Sequence, residues 1–416
     1  MNPSDTSRQI TAGSINDALR GVRVLDFTQI GAGPLAAMQL GDMGADVIKI
    51  EAPGGDIGRK LGPPWQEGES VVSMSFNRNK RSLVIDMKHA QGSALVRRLA
   101  SQSDVVLESF RPGVMERLGI GYEALRAVNP ALVFGSVSAY GQTGPWRDKA
   151  GVDGIVQAVS GLMSNVGDED SPPMKVLVPA VDMVTGFIST SAVLAALRVR
   201  DATGQGQHLD LSLYNAAIML QQSAIASYLS SGELPLRTGT AAPYSAPNEA
   251  YPTKDGWIMI AAYHDDRWRA LCRLLGDPDL ADHPDFATIP KRVANRKGLM
   301  SVLKVHLAAR TSAEWQALME AEDIICGPIA DYGMVMQSPQ LAHNGLIVDT
   351  QSSVAGSVRM PGMSMCDRDG QSRVHQGPPA IGEHTTEILA EFGLTREEID
   401  ALLAAGAVRQ RPAAAS

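Results

Sequence analysis

The stretch from Arg23 to Glu51 constrains the fold more than any other. Val22, Val24, Leu25 and Phe27 form a short apolar run, and Gly31-Ala32-Gly33-Pro34 turns the chain. Pro34 suits the first position of a helix, where its missing N–H has no partner to lose. The helix continues through Met43 and stops at Gly44, a residue tolerant of the left-handed conformation that ends helices. Ala45-Asp46-Val47-Ile48-Lys49-Ile50 then reads as a second strand. Strand, helix and strand in so short a stretch form a parallel βαβ unit.

The alternation repeats. Ser82–Asp86 is a strand, Gly92–Ala100 a helix with Ala94, Leu95 and Leu99 on its apolar face, and Asp104–Leu107 and Leu132–Val137 further strands. This order predicts an α/β fold, an open doubly wound parallel sheet with helices on both faces. A long helix from Asp182 to about Arg200 follows, then a turn at Thr203–Gln207 and a half-buried strand at His208–Leu213. A chain of 416 residues exceeds what one simple core supports. A second compact region, mostly helical, is expected from Gly256 to about Met336, and a last helix near Thr385–Phe392.

The charge balance is uneven. Residues 1–120 hold 14 Lys and Arg against 13 Asp and Glu, while the other 296 hold 23 against 32. An anionic ligand is therefore expected on the N-terminal third, and the net charge of −8 argues against a nucleic-acid partner. Cys272, Cys326 and Cys366 are scattered without Cys-x-x-Cys spacing, which suits a reducing cytoplasm and no metal cluster. The polar start Met1–Ser14 has no apolar centre of the kind that marks a signal peptide. No apolar run was expected to reach the length of about 20 residues that crosses a bilayer, and Arg411–Ser416 reads as a frayed tail. A cytoplasmic protein without a membrane partner is the expectation.

Three features carry candidate chemistry. Gly31-x-Gly33-x-x-Ala36 between strand and helix, with Glu51 closing the next strand, imitates a dinucleotide fingerprint, although Pro34 removes one donor. Asn77-Arg78-Asn79-Lys80-Arg81-Ser82, with Lys88 beyond and Arg111 and Arg117 near another strand end, could receive phosphates or form a solvated charged face. Asp182, read as one residue ahead of its helix, is either an N-cap or a carboxylate usable as a nucleophile. No phosphate-binding P-loop, serine nucleophile elbow or His-Glu-x-x-His pattern occurs, and the eight histidines are dispersed.

Gly21-Val22-Arg23-Val24-Leu25-Asp26-Phe27-Thr28 followed by Gly31-Ala32-Gly33-Pro34 resembles the opening of the class III CoA-transferases, the family of formyl-CoA:oxalate and carnitine CoA-transferases. So do Gly44–Glu51, Asn79–Ser82, Asp104–Gly113, Gly151–Gly154 with Gln157-Ala158, Thr203–Gln207, Cys326-Gly327-Pro328 and Gly382–Thr385. The resemblance implies a Rossmann-like large domain interrupted by a smaller α+β domain, divided as residues 1–215, 216–344 and 345–416, in an interlocked homodimer. It implies transfer of CoA from an acyl-CoA to a small carboxylic acid with no metal and no tightly bound cofactor, coenzyme A being substrate. It places the nucleophile on Asp182 and CoA contacts on Gln29, Ala32, Ile85, Lys88, Arg117 and Leu118.

Departures bear on the substrate. Ala261-Ala262-Tyr263-His264-Asp265 stands where oxalate-specific members carry a run of glycines, and Ala52 where they carry an arginine. Racemases of the superfamily use a histidine where this chain has Val152, which makes acyl-CoA racemisation the lesser alternative, alongside a dinucleotide enzyme.

Overall fold

The computed structural model describes residues 14–363, 365 and 374–412. Cys366, the first 13 residues and the last four of the tail lie outside the described residues. Contacts divide the chain into one unit of Met1–Ser160, Val176–Ile225 and Pro339–Ser416, and another of Gly161–Lys175 and Ala226–Ser338.

The larger unit is built on seven strands: β1 (Arg23–Phe27), β2 (Asp46–Glu51), β3 (Lys80–Ile85), β4 (Val105–Glu108), β5 (Val133–Ser138), β6 (His208–Ser212) and β7 (Val408–Arg409). Their order across the sheet is β7-β3-β2-β1-β4-β5-β6. The first six are parallel, and only β7 runs antiparallel, against β3. This is the doubly wound arrangement, and the direction of winding reverses between β1 and β4. A crevice forms at such a reversal, beyond the carboxyl ends of the strands.

Both faces of the sheet are apolar and covered. Leu25, Phe27, Ile48, Leu83, Ile85 and Val106 belong to one core cluster, and Val24, Val47, Val105, Leu107 and Val133 to the other. Helix α1 (Ala32–Asp42) is buried along its whole length. Its small residues, Ala32, Gly33, Ala36 and Ala37, let it lie between the sheet and a long helix. Pro34 is its third residue, not its first.

Helix α2 (Ala90–Ala100) starts under a side-chain cap from His89, and α3 (Asp153–Val159) precedes the 24-residue α4 (Ala180–Thr203). By length and composition α4 could cross a bilayer, at a mean hydropathy of 1.6, which corrects the expectation that no such segment exists. Here it packs as a core helix, with Val181, Thr185, Gly186, Ser189 and Val193 buried. The hairpin Ile347–Ser352 and Gly356–Pro361 was not anticipated.

The second unit has its own core of Trp268, Leu271, Leu299, Leu303, Trp315 and neighbours. Three antiparallel strands, Asn248–Pro252, Trp257–Ala261 and Ile325–Pro328, form its sheet. The stretch after Trp257–Ala261 is held by Arg292, whose buried guanidinium donates to the carbonyls of Tyr263 (2.8 Å), Phe286 (2.9 Å) and Ala246 (2.7 Å).

Candidate active site

The turn after β1 is fixed atom by atom. The buried Asp26 carboxylate accepts from the Thr28 N–H at 2.9 Å and from the Thr28 hydroxyl. The Gln29 N–H donates to Ser109 Oγ at 2.9 Å, joining the end of β1 to the end of β4 where the winding reverses. Ile30 has φ +70°, a region β-branched residues rarely enter, and its N–H donates to Asp56 at 3.2 Å. Helix α1 begins directly after Gly31 with no side-chain cap. The N–H groups of Gly31, Ala32 and Gly33 have no acceptor among the described residues.

Asp182 lies against this turn. A Cβ built on Gly31 would stand 2.6 Å from Asp182 Oδ2, so only glycine leaves room for the carboxylate. Asp182 is the third residue of α4 and does not cap it, contrary to the N-cap reading. Asp153 supplies the cap instead: its Oδ2 accepts from the N–H groups of Val181 (2.9 Å) and Asp182 (3.1 Å). Gln157, fully buried, steadies Asp153 at 2.6 Å and exchanges two bonds with the Val176 backbone. With the cap supplied from elsewhere, the Asp182 side chain is released from structural duty.

Burial pushes the Asp182 carboxyl up to about 7, and the like charge of Asp153 adds to the effect. The group therefore exchanges its proton near neutrality, as a nucleophile or a proton-transfer group requires.

A cleft of about 340 Å³ opens at the carboxyl ends of β4 and β5, lined by Ser109, Arg111, Ser138, Arg147, Lys149 and Val152 among others. Val152 and Ile155 of its wall flank Asp153, the residue that caps α4. Arg117 and Arg147 converge on Gly113, where an added Cβ would lie 3.2 and 3.7 Å from their guanidinium nitrogens. Arg111, Arg117, Arg147 and Lys149 are exposed, and none forms an ion pair among the described residues. Four cations without a carboxylate partner beside a cleft, Lys149 lying over the Trp146 ring, suit an anionic ligand with several phosphates.

The residues singled out from sequence fall in different settings. Gln29 and Ala32 lie at the turn beside Asp182, and Arg117 lies with the cleft cations. Lys88 is exposed beyond β3, and Leu118 is half-buried against the sheet's core. Ile85 has no exposed surface at all. Arg147, Lys149 and Ser109 escaped sequence reasoning. Their one signal was position, since the loops after β4 and β5 emerge at the ligand-binding edge of such a sheet.

The two other readings of the basic and glycine motifs do not fit. Lys80 is wholly buried against Asp26 (2.8 Å), Arg78 is buried against Asp42 (2.6 Å), and Arg81 pairs with Asp46, Glu387 and Glu391. The run Asn77–Ser82 is thus neither a phosphate cradle nor a solvated face, whereas Lys88, Arg111 and Arg117 stay exposed. Glu51, the acid a dinucleotide ribose would need, takes a bidentate fork from Arg59 (2.7 and 2.9 Å) and a bond from Ser82 (2.7 Å). Although burial opposes ionisation, Arg59 holds this carboxyl down to about 2. No cluster of metal ligands occurs among the described residues.

The model of CoA-transferase family III matches residues 19–385 of the chain. The chain is 37% identical over 395 residues to the succinyl-CoA:glutarate CoA-transferase of Mus musculus, covering 94% of this chain and 90% of the relative. It is 38% identical over 384 residues to the succinate–glutarate CoA-transferase of Agrobacterium fabrum, covering 90% and 95%. Among solved structures it resembles a CAIB/BAIF family protein from Brucella suis, with a TM-score of 0.83 and 35% identity, covering 89% of this chain and 98% of that one.

Proposed function

Because the chain belongs to CoA-transferase family III and is a CoA-transferase acting between acyl-CoA thioesters and carboxylates, we propose that Asp182 is the side chain on which CoA changes owner. One observation carries this reading: a carboxyl with a pKa of about 7 lies on the glycine that opens an uncapped helix, at the sheet's winding reversal.

The ionised Asp182 carboxylate attacks the carbonyl carbon of the donor thioester. The C–S bond breaks, CoA leaves as thiolate, and a mixed anhydride joins donor and aspartate. The thiolate then attacks the aspartyl carbonyl, releasing the donor as a free carboxylate and leaving an aspartyl-CoA thioester. An acceptor carboxylate attacks that thioester, and the thiolate returns to the acceptor's carbonyl, freeing Asp182. Each step exchanges one activated acyl bond for another. The free N–H groups of Gly31 and Ala32 are suited to receive the oxyanion that develops at each attack. Both covalent intermediates hydrolyse if water enters, so the site must close while they exist.

Arg111, Arg117, Arg147 and Lys149 are the proposed partners of the CoA phosphates, with the pantetheine arm leading past Ser109 and Gln29 toward Asp182. Relatives named for succinyl-CoA and glutarate support a succinyl donor and a dicarboxylate acceptor. Leu177, Val178 and Met219 are apolar and exposed, as residues that a second copy of the chain would cover are, in line with an interlocked homodimer. The cytoplasm is the proposed location, since a reducing compartment suits the buried Cys272, whose thiol burial pushes up to about 12.

Turnover with succinyl-CoA and glutarate tests the reading. Asp182→Ala should abolish it in a folded protein, and residual exchange near the parent rate would disprove it. Deuterium washed into the α-carbon of an acyl-CoA without an acceptor would point to the racemase alternative.

A further inference from the structure

Two lysine side chains without solvent exposure lie under the turn that carries Gly31. Lys49 Nζ donates to the Thr28 carbonyl at 3.0 Å and to Asp56 Oδ2 at 2.9 Å. Lys80 Nζ donates to the Pro34 carbonyl at 2.9 Å, to Asp26 Oδ2 at 2.8 Å and to Asn77 Oδ1 at 2.9 Å. Their carboxylate partners grip the same backbone: Asp26 holds the Thr28 N–H at 2.9 Å, and Asp56 holds the N–H groups of Ile30 at 3.2 Å and Gly58 at 2.7 Å. The segment from Thr28 to Pro34 is thereby pinned at both ends and at its middle.

Stability alone is a poor explanation for this lattice. Taking ammonium and carboxylate groups out of water costs much of what their pairing returns, and apolar side chains of similar volume often serve as well. What charged groups add is direction. They reach specific carbonyl and N–H groups, including those around Ile30 at φ +70°, which apolar packing cannot hold in place. The segment they hold ends on the atoms that meet Asp182.

We propose that Lys49 and Lys80 are positioning residues for CoA transfer: their buried ammonium groups fix the Thr28–Pro34 backbone so that the N–H groups of Gly31 and Ala32 keep one spacing from the Asp182 carboxylate through successive acyl exchanges. The proposal rests on the assignment of Asp182 as nucleophile. Several oxyanions form at one place in each cycle, some on the aspartyl carbon and some on the substrate carbon. A turn free to shift between them would lose donor contact at one or another, and misplacement by about 1 Å can cost about 100-fold in rate.

The test compares Lys49→Met with the double variant Lys49→Met/Asp56→Asn in the full chain. Lys49→Met should lower kcat by about 30- to 100-fold with KM for succinyl-CoA changed by less than about threefold, because the cleft cations are untouched. It should also melt earlier, since it leaves Asp56 buried and unpaired. The double variant removes that unpaired charge and keeps an amide oxygen for the Ile30 N–H. Its melting temperature should recover while kcat stays low. If kcat recovers together with the melting temperature, the lysine is merely structural and the proposal is overturned. Should Lys49→Met fail to fold, Asp56→Asn alone decides: kcat reduced about fivefold or more at unchanged KM supports the proposal, and unchanged kcat overturns it. Asp182→Ala, run in parallel, separates the two assignments. Turnover surviving in that variant would remove the nucleophile reading, whereas loss in Asp182→Ala with full activity in Asp56→Asn would remove only this one.

Discussion

The larger unit contains two groups of basic residues with opposite fates. Lys49, Arg78 and Lys80 are buried, each against a carboxylate within 3 Å. Arg111, Arg117, Arg147 and Lys149 stand exposed with no ion pair among the described residues. The local sequence does not announce the difference; the densest basic run, Asn77–Ser82, is the one consumed inside. Position on the sheet decides. Lys49 and Lys80 lie within parallel strands covered on both faces, so their ammonium groups can reach only other buried groups. The free cations lie on segments that leave β4 and β5 at the carboxyl edge, where a doubly wound sheet leaves a crevice.

Substitutions should separate the groups by what is lost. Lys80→Leu leaves Asp26 buried without its partner and should destabilise the protein by about 3–5 kcal/mol in chemical denaturation. Arg147→Ala should change stability by no more than about 0.5 kcal/mol in the same experiment. Equal losses would erase the distinction. Gly31→Ala, which places a methyl group 2.6 Å from Asp182 Oδ2, should lower kcat by about 100-fold with the fold intact by circular dichroism. An unaffected rate would mean that the carboxylate does not work from that position.

The double variant Arg147→Ala/Lys149→Ala should raise KM for acyl-CoA by about 10- to 100-fold at nearly constant kcat, with a weaker dependence of KM on salt. A loss in kcat alone would move the phosphates elsewhere. The smallest expected effect is a pH shift. Asp182 is raised to about 7 by burial and then by Asp153, so the acylation rate should climb as pH passes through about 7. Asp153→Asn keeps an acceptor for the α4 N–H groups and removes the like charge. The rising limb should move to lower pH by about one unit or less, and a limb that stays or moves upward would refute that cause.

Asp182 also links activity to stability. A carboxyl raised in the folded state binds its proton more tightly there than in the unfolded chain. Stability from this group therefore falls as pH rises from about 4 toward about 7. Asp182→Asn should gain stability over the parent above pH 7 and lose that advantage near pH 4, measured by thermal melts at the two pH values.

The parallel βαβ alternation was legible because apolar strand runs and glycine stops leave strong local signals, and the six parallel strands follow it. Asp182 was visible as a lone acid near a helix start, but its duty was not. The cap comes from Asp153, 29 residues away, a relation no local pattern encodes. Pro34 looked like a first helical residue because proline is favoured there, yet α1 starts two residues earlier, after Gly31. The charge run Asn77–Ser82 misled because burial depends on neighbouring strands. Ile85 shows the same limit from the other side: its side chain is sealed in the core, so the β3 end can offer a ligand little but backbone. Arg147 and Lys149 sit in a loop without periodicity, and only the sheet order gives them meaning.

CoA transfer by this route requires that Asp182 become acylated. Incubation with succinyl-CoA, a hydroxylamine quench, proteolysis and mass spectrometry address it directly. A hydroxamate is expected on the peptide holding Asp182, and none in Asp182→Asn. A hydroxamate on another carboxylate such as Asp153, or turnover with no trapped adduct at any carboxylate, would contradict it.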